Sequence, residues 1–264
     1  MKLLEGKRAL IFGVANDHSI AWGIAKAMHD QGAELAFSYA IDSLERRVRP
    51  LAESLDVSFV EKCDVTKDDE IEALFQKAAD ELETIDILVH AIAYAGREEL
   101  EGNFHKTTRE GFRVAMEISV YSFLALARAS LPLMPDGGSM ITLTFYASEK
   151  VFPNYNVMAV AKAGLESTTR YLAADLGPRG IRVNAISPGP VRTLSAAGVG
   201  GFKRLYGEFP KVAPLRRHIS PEDVGHSAVW LTSDWARNIT GEVLFVDSGY
   251  NILGAFIPDA TDDS

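Results

Sequence analysis

The sequence predicts an α/β fold built on a parallel β-sheet, and three observations lead there. Seven short β-rich runs alternate with six longer segments of helical periodicity along nearly all of the 264 residues; strands spaced in this way need crossover helices between them. A composition of 47% hydrophobic and 24% charged residues with only 11 prolines supplies a sizeable core and lacks the bias of a disordered chain. No internal repeat or low-complexity linker interrupts the pattern.

The first strand, 8–13, ends at Gly13, and the turn that follows places Ser19 as cap of a helix over 20–31. Such a helix start offers free N–H groups and a positive dipole end to a pyrophosphate, and Gly23 is expected to let the helix approach its strand. The usual G-x-G-x-x-G is absent. Strand 34–39 ends in Phe37-Ser38-Tyr39-Ala40, without the acidic residue that commonly accepts from an adenine-ribose hydroxyl. Asp42 lies just beyond, while Arg46 and Arg47 read either as a 2′-phosphate contact or as a solvated face of the helix over 44–55. NADH is preferred as cofactor, with NADPH the alternative.

Strand 58–63 leads through Asp64 and Val65 to a helix over 68–82, and strand 85–91 leads into Ala91-Ile92-Ala93. Asp64 can accept from an adenine amino group, and the small residues around Ile92 let a ribose approach the backbone; the bland alternatives are an N-cap and a packed loop. A helix over 108–131, a strand over 139–145, a helix over 155–176 and a strand over 182–187 follow. The Gly/Pro/Ala/Ser-rich stretch 188–201 is too irregular for a simple turn and reads as a mobile loop. A helix over 221–232, a strand over 242–246 and a frayed acidic tail over 259–264 complete the chain.

Composition excludes several classes. A formal net charge of −9 leaves no basic excess for a general nucleic-acid binder. One cysteine, Cys63, rules out an internal disulfide framework and favours a reducing cytoplasm. The six histidines show no metal-ligand spacing. The N-terminus is not a secretory signal, and no run approaches the ~18 consecutive apolar residues of a membrane span.

Two Tyr/Lys pairings stand out. Tyr146 and Lys150 match Y-x3-K, which needs a helix to share a face, yet Pro153 follows closely and a strand has just ended. Tyr155 and Lys162 lie seven apart in a strongly helical segment, on one face and ~10.5 Å apart along the axis. The lysine can hold cofactor ribose hydroxyls there, while the protonated phenol reaches towards a substrate carbonyl. A half-buried tyrosine beside a surface lysine is the alternative.

At these residues the chain resembles the enoyl-acyl-carrier-protein reductases of type II fatty-acid synthesis, a divergent branch of the short-chain dehydrogenase/reductases. The resemblance rests on G-V-A-x3-S-I-A-W-G-I-A at 13–25, P-N-Y-N-V-M-A-V-A-K at 153–162, R-Y-L-A-x-D-L-G at 170–177, I-R-V-N-A-I-S-P-G-P-V-R-T-L at 181–194 and G-E-V-x-x-V-D at 241–247. It implies a single Rossmann-type doubly wound domain over 1–264 with a seven-stranded parallel sheet, and a homotetramer built on the helices over 108–131 and 155–176. It also implies hydride transfer from a nicotinamide cofactor to the β-carbon of a trans-2-enoyl thioester carried on acyl carrier protein. Tyr155 would then bind the enolate oxygen and Lys162 the nicotinamide ribose. Gly13, Ser19, Ile20, Asp64, Val65, Ile92, Val191 and Thr193 would carry the other cofactor contacts, with Ala95 against the substrate.

The chain departs from the family at Phe145, where a second tyrosine is usual, and Tyr146 is displaced by one. Neighbours on a strand point to opposite faces, so Phe145 is expected as an apolar wall, with Tyr146 a further catalytic candidate only if the backbone re-aims it. Leu194, Ala196 and Phe202 belong to a segment, 188–218, expected to cover an acyl chain. The basic residues Lys203, Arg204, Lys211, Arg216 and Arg217 against Glu208 alone form either a solvated face or a steering patch for an acidic carrier protein. A short-chain carbonyl reductase and a cofactor- or acyl-binding protein with weakened turnover remain as alternatives. A cytoplasmic protein without nucleic-acid or membrane partners is expected.

Overall fold

A computed structural model describes residues 2–254; the tail expected at 259–264 lies outside them. Seven strands form one parallel sheet in the order β3-β2-β1-β4-β5-β6-β7. They are β1 Arg8–Phe12, β2 Glu34–Tyr39, β3 Val60–Lys62, β4 Ile87–His90, β5 Gly138–Leu143, β6 Ile181–Pro188 and β7 Val243–Val246. All seven expected strands are present, with ends shifted by at most two residues.

Alternation along the strands divides the core in two. Ala9 and Ile11 of β1, with Val89 of β4 and Ile141 of β5, meet α1 (Ile20–Asp30), α2 (Asp42–Glu53) and α9 (Pro221–Thr232) on one face. Leu10 and Phe12, with Leu88 and Met140, meet α3 (Asp68–Leu82), α5 (Ser122–Ser130) and α6 (Asn156–Leu176) on the other. Burial on both faces explains why the strands read as continuous apolar runs.

The expected helix over 108–131 is interrupted. α4 (Arg109–Met116) passes through a π-turn at Glu117–Tyr121 before α5 begins. Buried Ser122 bonds the Ile118 carbonyl at 2.6 Å, and buried Ser119 is drawn out to Tyr94. Among the described residues, the helical stretch Arg109–Leu133 is long and apolar enough to cross a bilayer, with mean hydropathy 1.4. It is folded against the sheet with 44% of that window buried, as a core helix is.

The segment 188–218 contains more regular structure than expected: α7 (Leu194–Ala197) and α8 (Phe202–Val212). Phe202, Leu205, Tyr206 and Phe209 recur at helical spacing, a signal the sequence did carry. Buried Phe209 joins Val191, Ala213 and Ile219 in a small core of its own.

Gly23 serves a different purpose from the one expected. A β-carbon there would collide with the Pro221 carbonyl of α9, and one at Gly225 with the Gly23 carbonyl, so the glycines allow two helices to cross, not a helix and its strand. Gly225→Ala is expected to cost about 1–3 kcal/mol by forcing the helices apart, read as a lowered thermal midpoint. Cys63 is 2% exposed, and burial, with Glu70 and Asp64 adding, pushes its thiol up to about 12. A thiol-reactive disulfide at about pH 8 should label the folded protein negligibly and one thiol per chain after denaturation; rapid native labelling would contradict the burial.

Candidate active site

The site grows from the carboxyl ends of the strands, at the point where β1 has β2 on one side and β4 on the other. Gly13 leaves β1 with φ 103°, and a β-carbon would run into the carbonyl oxygen of Ala91 at the exit of β4. Only glycine permits this turn at this separation. The crevice outside these two strands is where open parallel sheets bind nucleotides.

Ser19 caps α1: its Oγ accepts from Trp22 N at 3.2 Å and donates to the Asn16 carbonyl at 2.7 Å. The first-turn amides of Ile20 and Ala21 then point out of the helix end, where an anion is favoured. On the other side of the crevice, Ser119 of the π-turn accepts from Tyr94 N at 3.0 Å and donates to Tyr94 O at 3.2 Å. That clasp fixes the loop carrying Ile92 and Ala95. The backbone spaces fit a dinucleotide: a cradle closed to any β-carbon and an open helix N-terminus lie side by side.

Asp64 follows β3 and faces inward to its own turn. Its Oδ1 accepts from Thr66 N at 3.1 Å and Thr66 Oγ1 at 2.8 Å. Burial pulls its carboxyl up, but those two bonds and Lys67 outweigh it and hold the group below the usual range. Val65 is buried beside it. Beyond β2, Asp42 pairs with Lys62 at 2.8 Å, and Arg46 and Arg47 are exposed on α2.

After β5 the chain makes a single 3₁₀ turn at Tyr146–Ser148, so Tyr146 and Lys150 share no α-helix. Tyr146, a catalytic candidate only if re-aimed, is engaged elsewhere. Its hydroxyl donates to the Asn251 carbonyl at 2.9 Å, and its ring packs edge-on to Phe245 and Tyr250, among the C-terminal residues. Phe145 takes the opposite direction and lies 5.0 Å from the Tyr155 ring.

Tyr155 is the residue before α6, with helical backbone, between two asparagines of positive φ: Asn154 at 66° and Asn156 at 41°. Asparagine tolerates this region better than other L-residues. Asn154 Nδ2 donates to the Gly200 carbonyl at 3.1 Å and Asn156 Nδ2 to that of Gly102 at 3.3 Å, so both loops beside Tyr155 are tied to its flanks. Burial pushes the phenol pKa up, leaving it a proton donor at all ordinary pH. Two turns on, Lys162 is 5% exposed and its Nζ donates to the Leu143 carbonyl at 2.8 Å.

β6 exits through buried Val191, and Thr193 Oγ1 accepts from Ala196 N at 3.1 Å, starting α7. Leu194 is exposed, and Phe202 packs on Tyr206 within α8. Val199, unlike these, reaches the cluster that also contains Ala95 and Tyr155. The structure therefore gathers Gly13, Ser19, Ile20, Ile92, Val191 and Thr193 along one sheet edge, with Ala95, Phe145, Tyr155 and Val199 around an apolar recess. Glu166, Asn154, Asn156 and Ser119 join the site without having been singled out; only the paired asparagines around Tyr155 were a visible signal.

An open parallel sheet with a dinucleotide cradle at its strand-order switch, and a tyrosine and buried lysine on the adjoining helix, is the architecture of a Rossmann-type oxidoreductase. Residues 13–251 match the family model described as enoyl-(acyl carrier protein) reductase. The NADH-dependent enoyl-[acyl-carrier-protein] reductase FabI of Aquifex aeolicus is 54% identical over 257 residues, 97% of this chain and 95% of that protein. The solved structure of the Bacillus cereus enoyl-acyl carrier protein reductase, with NADP+ and an indole naphthyridinone, superposes with a TM-score of 0.95 at 52% identity, covering 97% of this chain and 100% of that one. The Anaplasma phagocytophilum reductase in complex with NAD gives 0.93 at 47% identity over 97% of each chain. The chain belongs to the enoyl-acyl-carrier-protein reductase family.

Tyr155→Phe should lower turnover by ~10²–10³ through loss of one preorganised oxyanion donor. Tyr146→Phe should change it by less than about threefold, because its hydroxyl is spent on the Asn251 carbonyl. Steady-state rates with folding checked by circular dichroism decide; comparable losses in both variants would contradict this assignment.

Proposed function

We propose that this chain reduces the trans-2 double bond of enoyl thioesters carried on acyl carrier protein, in fatty-acid synthesis, with NADH as reductant. The observation that carries the reading is the position of Tyr155: a protonated phenol on the wall of the apolar recess, two helical turns from a buried lysine bonded to the last carbonyl of β5. A bound nicotinamide cofactor supplies the hydride for the β-carbon of the enoyl group.

Tyr155 donates a hydrogen bond to the thioester oxygen, which gains charge as the enolate forms. Phe145, with its ring against that of Tyr155, holds the phenol and gives an apolar wall where a second hydroxyl is absent. Lys162 binds the nicotinamide ribose and, being charged, favours the developing anion. Gly13, Ser19, Ile20 and Thr193 receive the phosphates and Asp64, Val65 and Ile92 the adenosine and ribose. Ala95 and Val199 border the recess taken by the acyl chain, with Leu194, Ala196 and Phe202 carried on the covering segment 188–218. A carbonyl reductase relying on Tyr146 and Lys150 is disfavoured, since no helix places them on one face.

Phe112, Tyr121 and Leu124 on the interrupted helix are each more than 40% exposed, and Tyr171 on α6 is 74% exposed. Apolar exposure of this kind on two neighbouring helices suits burial against further copies, and a cytoplasmic homotetramer is the assembly proposed. Enoyl-thioester-dependent loss of NADH absorbance, against a 3-ketoacyl thioester as control, tests the reaction. Faster oxidation with the ketoacyl substrate would overturn it.

Lys203 and Arg204 are exposed on α8 and belong to no ion pair among the described residues. Replacing both with Glu should weaken kcat/KM for a carrier-linked enoyl substrate by about tenfold at low salt, with little change for the coenzyme A analogue. Added salt should narrow the gap. Equal losses with both substrates would exclude a docking patch.

A further inference from the structure

Two charged side chains are buried one turn apart on α6: Lys162 at 5% exposure and Glu166 at 6%. Each grips the end of β5. Lys162 Nζ donates to the Leu143 carbonyl at 2.8 Å, and the Thr144 hydroxyl donates to Glu166 Oε1 at 2.6 Å. Thr144 N in turn donates to the Ile186 carbonyl at 2.8 Å, so this anchor is itself fixed to β6. Buried charges persist only when something compensates them. A single carbonyl does not neutralise an ammonium, and Glu166 is the charged group that acts on Lys162 through space.

We infer, on the reading that Lys162 holds the cofactor ribose, that Glu166 is a positioning residue of the reduction: its carboxylate, anchored on Thr144, keeps the Lys162 ammonium charged and seated at the crevice. Burial draws the lysine down and Glu166 opposes that fall, the balance standing at about 8. The other groups facing Lys162 do not do this work. His90 of β4, whose ring bridges Thr142 Oγ1 at 2.7 Å and Ser122 Oγ at 2.8 Å, is kept neutral by burial, its pKa drawn down to about 3. Tyr155, on the same helix, stays protonated. β5 and its exit contribute the Leu143 carbonyl and the Thr144 hydroxyl. A merely structural clasp on Thr144 would accept a glutamine equally well, since an amide oxygen takes the same hydrogen bond; the charge is what distinguishes the two.

The test is the NADH dissociation constant, read by cofactor fluorescence from about pH 6 to about pH 10. Wild-type affinity should fall along an alkaline limb as Lys162 loses its proton. Glu166→Gln should move that limb down by about one pH unit, giving about tenfold weaker binding near pH 9 and near-wild-type binding near pH 6. Glu166→Asp should restore part of the shift, and Thr144→Val, which keeps the carboxylate but frees it, should produce a smaller one in the same direction; this variant also serves if the glutamine variant misfolds. A Glu166→Gln profile superimposed on wild type, or weakened equally at every pH, overturns the inference. Lys162→Ala separates the two readings. If it binds NADH as wild type does, the ribose role of Lys162 fails and the inference with it; if it binds weakly while Glu166→Gln is unchanged, only the role of Glu166 fails.

Discussion

The close approach of the β1 and β4 exits is the constraint on which the cofactor side of the molecule depends. It exists because Gly13 turns at a positive φ with its α-carbon against the Ala91 carbonyl, a space that no side chain can share. With the exits in contact, the N-terminus of α1 and the loop after β4 face each other across one crevice. Ser119 then fixes that loop by its backbone, from a turn of π-helix that brings the hydroxyl within reach. Separate the two exits by a methyl group and each later element loses the surface it was built against.

On the function proposed above, the chemical side depends on immobilising one phenol. Tyr155 has strained-backbone asparagines before and after it, each spending its side chain on a different loop, and the ring of Phe145 along its flank. A single preorganised donor demands tighter orientation than a pair would, and residues 154–156 place that demand on local backbone conformation. Below them, Lys162 and Glu166 bind Leu143, the last residue of β5, and Thr144 just beyond it, and join the helix to the sheet.

The strand and helix pattern was legible because burial on both faces writes itself as apolar runs, and Tyr155 with Lys162 was legible because helical spacing is local. What escaped the sequence depends on contacts far along the chain. The direction of Tyr146 is decided by the carbonyl of Asn251, over a hundred residues away, although strand alternation did separate it from Phe145. The π-turn follows from a hydroxyl seeking Tyr94, which no periodicity records. α8 is different: its apolar spacing was present in the sequence, and the glycines and prolines preceding it obscured a regular helix.

The crossing of α1 and α9 at Gly23 and Gly225 links the two ends of the chain. The helix whose N-terminus faces the crevice takes its packing partner from residues about two hundred positions further along the chain. Contacts of such sequence separation form late, after much loop entropy has been lost. Until α9 folds back onto α1, the glycine turn and the capped helix therefore stand without the support that orients them.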